Sequence, residues 1–146
     1  MGKINAMLVL FCALFTGTLI AQETTGKGPK IEFKNLVHDY GNILERADGN
    51  CTFEFTNTGD APLIITSVKT SCGCLAPSWS KEPVAPGAKG KISLRYDTNR
   101  VGPINKSATV ESNSVNAPVQ VIRIKGTVKP LPEPATPVSI SGEPTE

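Results

Sequence analysis

The residues best equipped for chemistry are Ser71-Cys72-Gly73-Cys74, two thiols flanking one glycine. Thiols in an oxidising compartment pair, bind metal or exchange electrons. In a fully extended strand the Cα atoms of Cys72 and Cys74 would stand about 7 Å apart. A disulfide needs roughly 4.4–6.8 Å. Closure therefore requires a bend, and Gly73 is the residue expected to supply it. Such a ring restrains almost no chain, so it would stabilise the fold little and reduce more easily than a long-range bridge. Left open, both thiols lie on one side of the strand and could share copper(I) or zinc. Cys51 or His38, the sole histidine, could then add a ligand. A third arrangement joins Cys51 to Cys72 or Cys74 and leaves one thiol over.

The spacing lacks the separated pairs of a structural zinc site. The arrangement carried forward is a local Cys72–Cys74 disulfide with Cys51 as an inert buried thiol, and no cofactor is expected. Lys69 and Lys81 flank the pair in sequence, and a nearby cation would favour the thiolate. Trp79 is expected to cover the cysteine turn or to pack in the core. His38 precedes Asp39-Tyr40-Gly41 and is expected to pack beside a turn. No nucleophile has a recognisable base and orienting group, so the chain is read as non-enzymatic. Asp39, Asp48 and Asp60 do not reproduce a calcium-loop spacing and read as turn and capping residues. Asn50-Cys51-Thr52 and Asn105-Lys106-Ser107 match a glycosylation triplet, which matters only in a host with that machinery.

The elements that must position these residues are short strands. Cys51, Phe53 and Phe55 alternate with Thr52, Glu54 and Thr56, the period of a half-buried strand. Ile92, Leu94 and Tyr96 repeat it, as do Ile122, Ile124, Gly126 and Val128. Ile31-Glu32-Phe33 and the Ala108–Val110 stretch add two more. The β-branched run Leu63 to Val68 suits a central strand. Asn57-Thr58-Gly59-Asp60-Ala61-Pro62 and Pro86-Gly87 are turns, with Gly59 expected at positive φ. About seven such strands predict a single all-β immunoglobulin-like antiparallel β-sandwich over residues 31–129.

Around this core lie two tails. Residues 1–21 read as a signal peptide: Lys3, then an apolar run from Ala6 to Phe15, then small Ala21 before the cut. Cleavage removes Cys12 and leaves Cys51, Cys72 and Cys74. Residues 22–30 read as a flexible leader. Residues 130–146 hold five prolines and few large apolar side chains, which predicts a disordered tail. With 15 basic and 13 acidic side chains the chain implies no nucleic-acid partner, and after the signal peptide no segment is apolar enough to span a membrane. The protein is expected to be exported, to the periplasm or beyond.

The order Asp39-Tyr40-Gly41-Asn42-Ile43, Phe53-Glu54-Phe55-Thr56-Asn57-Thr58-Gly59, Pro62-Leu63-Ile64-Ile65, Thr70-Ser71-Cys72-Gly73-Cys74, Pro86-Gly87 and Ile124-Lys125-Gly126 resembles the bacterial family called domain of unknown function 1573. The resemblance covers about Ile31 to Val128. Its Phe-x-Phe-x-Asn-x-Gly element is shared more loosely with domains of the Hydin and major-sperm-protein group. The resemblance implies an extracytoplasmic β-sandwich and supplies no function. Two functional readings follow: a module that binds a protein partner in the cell envelope, or a thiol redox or metal-handling protein built on Cys-Gly-Cys.

Overall fold

The computed structural model describes residues 26–134. The expected signal peptide, the first part of the leader and residues 135–146 lie outside them. Eight strands form two four-stranded sheets. The first sheet has the order β1 (Ile31–Phe33), β3 (Asn50–Asn57), β6 (Lys89–Tyr96), β5 (Leu75–Trp79). The second has the order β2 (Val37–Leu44), β8 (Val119–Lys129), β7 (Gly102–Ser112), β4 (Ile65–Thr70). Two sheets are needed because each strand has one apolar face to cover. Cys51, Phe53 and Phe55 meet Ile92, Leu94 and Tyr96 on one inner face, and Ile104, Ala108, Val110, Ile122, Ile124 and Val128 supply the other.

The immunoglobulin-like sandwich is as expected, with three differences in detail. About seven strands are expected, six of them on named residues, and eight are present; β2 and β5 are the two with no expected counterpart. Every pairing is antiparallel except that of β2, which runs parallel to β8. The run Leu63 to Val68 is not a central strand: the strand is Ile65–Thr70, and it lies at a sheet edge, paired only with β7. Its apolar density has another origin. A register shift between Ile65 and Ser67 brings Ile65 and Val68 to the same inner face. Leu63 is buried separately, through a bridge to Val84 with bonds of 2.9 and 2.7 Å.

The turn cluster holds as a turn, although Gly59 works differently from expectation. It does not adopt positive φ. A Cβ there would instead overlap the Gly28 carbonyl and stand 2.5 Å from Lys30 N. The leader is accordingly tied down before Ile31: Gly28 N donates to Asp60 Oδ1 at 2.6 Å, and Thr58 N donates to Lys30 O at 3.0 Å. Gly87 does sit at φ 77°, and Ala88 N donates to Ala85 O at 3.0 Å, which closes the Pro86-Gly87 corner.

Candidate functional site

Cys72 and Cys74 are bonded to each other, with Cα atoms 5.3 Å apart. The bridge lies where the chain leaves β4 in one sheet and enters β5 in the other. Three contacts hold this corner. Ser71 N donates to Ser107 O at 2.9 Å, Thr70 Oγ1 donates to Cys72 O at 3.0 Å, and Asp97 N donates to Cys74 O at 2.9 Å. Cys74 is buried, Cys72 half-buried and Gly73 exposed. Gly73 does not make a bend that only glycine allows. Its φ is not positive, and a Cβ built on it meets no atom within 4 Å. The bend is one that any L-residue can make.

Cys51 is a free, buried thiol, so the alternative bridges from Cys51 to the pair are absent. It lies 6% exposed on β3 opposite Leu94. His38 is not in a turn but in β2, edge-on to the Tyr40 ring at 4.5 Å. The proposed metal set of Cys72, Cys74, Cys51 and His38 is therefore not assembled. Both pair thiols are consumed by the bridge, and no group of three potential ligands occurs among the described residues. Lys69 and Lys81 do not serve the thiols either. Lys69 bonds Glu111 at 2.7 Å across β4 and β7, and Lys81 stands over the Trp79 ring at 5.8 Å. Trp79 packs against the core, with Nε1 donating to Ile65 O at 3.3 Å.

The groups that do surround the pair were not legible as a cluster in sequence. On one side of Gly73 and Cys74 is a cleft of about 700 Å³, lined by Arg46, Asp48, Asn50, Arg95, Asp97 and Asn99 among others. On the other side is a smaller hollow of about 280 Å³ that includes Arg100 and Lys106. Asp48 and Asp97 act as turn residues: Asp48 Oδ1 accepts from Asn50 N and Nδ2, and Asp97 Oδ1 accepts from Asn99 N and Nδ2. Hydrogen bonds from Asn99, with a contribution from Arg100, hold the Asp97 carboxyl below its usual range.

Tyr40 and Cys51 form a second polar island inside the sandwich. Tyr40 Oη donates to Gly49 O at 2.6 Å. Burial, with Cys51 nearby, pushes the Tyr40 phenol far above its ordinary value, and burial likewise raises the Cys51 thiol. Both groups are neutral when protonated, so their contribution to stability is intact below the unfolded-state values of about 8.5 for Cys and 10 for Tyr. As pH rises past those values the unfolded chain ionises while the folded chain holds its protons, and stability falls. Urea midpoints measured from pH 7 to 11 are expected to decline beyond about pH 8.5. Cys51→Ala should remove the earlier part of the decline and Tyr40→Phe the later part.

The sheet edges are unequally covered. β4 and β5 lean on each other through the Trp79–Ile65 bond. β1 is short and is capped by Asn116, whose side chain accepts from Ile31 N at 3.0 Å and donates to Ile31 O at 2.9 Å. The long open edge is β2, eight residues from Val37 to Leu44. Leu36, Val37 and Leu44 are 40%, 47% and 47% exposed there. Arg123 N donates to Leu36 O at 2.8 Å while Arg123 pairs with Val37. In a parallel ladder this geometry turns the amide and carbonyl of Val37 itself away from β8.

These features define an immunoglobulin-like β-sandwich, and solved structures agree on the fold. A protein of unknown function from Porphyromonas gingivalis W83 superposes with a TM-score of 0.61 at 20% identity, over 69% of this chain and 47% of that one. The ASH/PapD-like domain 7 of human CEP192 gives 0.56 at 12% identity, over 70% and 87%. The Vibrio cholerae VesB protease gives 0.56 at 14% identity, over 67% of this chain and 32% of the protease. The chain thus spans about half of the Porphyromonas protein and a third of VesB. No curated protein matches the sequence. Residues 31–128 match the family described as protein of unknown function, DUF1573, and the chain belongs to that family.

Proposed function

We propose that this chain is an exported, non-enzymatic module of the cell envelope that captures an extended segment of another protein along β2. The observation that carries this reading is the β2 edge. It is long, uncovered among the described residues and flanked by exposed Leu36, Val37 and Leu44. An added strand would gain main-chain hydrogen bonds from outward groups such as those of Val37, and specificity from the apolar side chains beside them. The apolar run of residues 6–15 and Ala21 support export through a cleaved signal peptide.

Exposed edges are ordinarily blunted to avoid unwanted pairing. Here the bulge between Asp39 and Asn42, with Gly41 at φ 62°, interrupts β2 and limits a visiting strand to one half of it. Each half pairs three residues with β8, and the Val37 end is the one where the outward main-chain groups stand beside exposed Leu36 and Val37. The test is photocrosslinking in the native host, with the reactive residue at position 37 or at position 52 on the outer face of the other sheet. Protein adducts are expected from position 37 only. A Val37→Pro chain carrying the reactive residue at Leu36 should lose them while its thermal midpoint stays close to that of the parent. Adducts that survive proline, or that form equally from position 52, would remove the edge from the proposal.

A further inference from the structure

We infer that the cleft beside the Cys72–Gly73–Cys74 turn is a carboxylate-binding groove, and that its occupant is the chain's own acidic segment, residues 130–146. This inference is independent of strand capture at β2. It begins with a strained residue. Arg46 has φ 64° and is the one non-glycine residue at positive φ among the described residues. It occupies the third position of the turn closed by Ala47 N donating to Leu44 O at 3.1 Å, a place where glycine fits without cost. Two bonds to one residue hold Arg46 in this conformation: Arg46 N donates to Thr98 O at 3.2 Å, and Thr98 Oγ1 donates to Ala47 O at 2.7 Å. Strain retained in this way points to a use for the side chain.

Arg46 lines the 700 Å³ cleft together with Arg95. Neither guanidinium has a carboxylate partner among the described residues, whereas the neighbouring Arg100 bonds Asp97. Arg95 sits on β6 between Asn50 and Ala76 on the adjoining strands, both neutral. The two carboxylates of the cleft are engaged elsewhere, Asp48 by Asn50 and Asp97 by Asn99 and Arg100. Two arginines lining one groove suit bidentate binding of carboxylates through their planar guanidinium groups.

The choice of occupant rests on chain geometry and charge. Glu45 N donates to Lys129 O at 2.7 Å, so the segment that begins at Pro130 leaves the sandwich one residue from Arg46. That segment carries Glu133, Glu143 and Glu146 and no lysine or arginine. The residues after Pro134 can reach roughly 35 Å when extended, ample for a cleft at the end where they start. Tethering converts a weak contact into one at an effective concentration of millimolar order. Because the charges are exposed, the contact should be sensitive to salt.

The test compares three chains by nuclear magnetic resonance, each with residues 22–146 and the disulfide intact: the parent, the Glu133→Gln, Glu143→Gln, Glu146→Gln triple variant, and Arg46→Gly, which suits its turn and should fold. Backbone amides of Gly49, Asn50 and Asn99 and the arginine Nε–H groups are the readout. In the parent, these signals are expected to move on raising salt, and the triple variant at low salt should match the parent at high salt. In Arg46→Gly the response to the glutamate changes should be lost at Asn50 and Asn99. Mixing labelled with unlabelled chain separates sources. Shifts that depend on protein concentration would assign the groove to a second copy and overturn the inference. Cleft signals indifferent to the three glutamates would also overturn it, and so would binding of an added acidic peptide with no effect of the tail.

Discussion

Replacing Asn57 with alanine is expected to cost the domain roughly 3–5 kcal/mol, a large share of the stability of a small domain. The side chain is fully buried and makes four hydrogen bonds. Its carbonyl oxygen accepts from Lys30 N at 3.3 Å and Gly59 N at 3.0 Å, and its amide donates to Ala61 O at 2.8 Å and Val84 O at 2.9 Å. One residue thus joins the stretch before β1, the turn after β3 and the connection before β6. Alanine would strand the amides of Lys30 and Gly59 and the carbonyl of Ala61, each costing about 1–3 kcal/mol when left unpaired, less whatever water recovers, and would leave Val84 O with Leu63 N as its one donor. Leucine fills more of the space but leaves the same three groups without a partner and keeps water out, so it should be no better. Aspartate keeps the two acceptor bonds, loses both donors and brings a buried charge. The measurement is urea unfolding. The midpoint should fall with the slope unchanged, since the surface exposed on unfolding is the same. A loss under about 1 kcal/mol for both alanine and leucine would mean that these bonds are replaced on mutation.

Asn57 also shows which kind of information a sequence holds. Its place in Asn57-Thr58-Gly59 marked a turn, because the bond from Gly59 N to its side chain is local. The bond to Val84, twenty-seven residues away, has no local trace. The same division runs through the fold. Strands β3, β6 and β8 were legible because each keeps strict two-residue alternation against the core. β2 was missed because its bulge changes the phase: Tyr40 faces inward within it and Ile43 after it, three residues apart, while Val37 and Leu44 are exposed. β5 was missed because Pro77 interrupts it, which an edge strand tolerates. Cys-Gly-Cys was legible as a local bridge. The cleft around it was not, because Arg46 and the Arg95–Asn99 stretch lie about fifty residues apart and only the register of β3 with β6 brings them together.

The second large effect is expected from Gly59→Ala, and its size is best judged against Gly73→Ala. Both glycines belong to the motifs shared with the family, and both read in sequence as residues needed for backbone conformation. Neither has positive φ. They differ in what surrounds the missing side chain. At Gly59 a Cβ would overlap Gly28 O, lie 2.5 Å from Lys30 N and 2.8 Å from the Pro29 carbonyl carbon, all backbone atoms that cannot swing aside. Relief requires the stretch before β1 to move away, which breaks the bonds from Thr58 N to Lys30 O and from Asp60 N to Gly28 O. The loss should be about 2–4 kcal/mol, in the range of overpacking plus broken hydrogen bonds. At Gly73 a Cβ meets nothing within 4 Å. Alanine there should be neutral or stabilising by a few tenths of a kcal/mol, since it restricts the unfolded chain at no cost to the folded one. Thermal or urea unfolding of the two variants side by side gives the answer. If the contrast holds, Gly73 is not needed for stability, and it stands as an exposed backbone position that lines both the cleft of Arg46 and Arg95 and the hollow of Arg100 and Lys106. If Gly73→Ala proves as damaging as Gly59→Ala, the glycine must serve a step before the native fold is complete, such as closing the Cys72–Cys74 bridge.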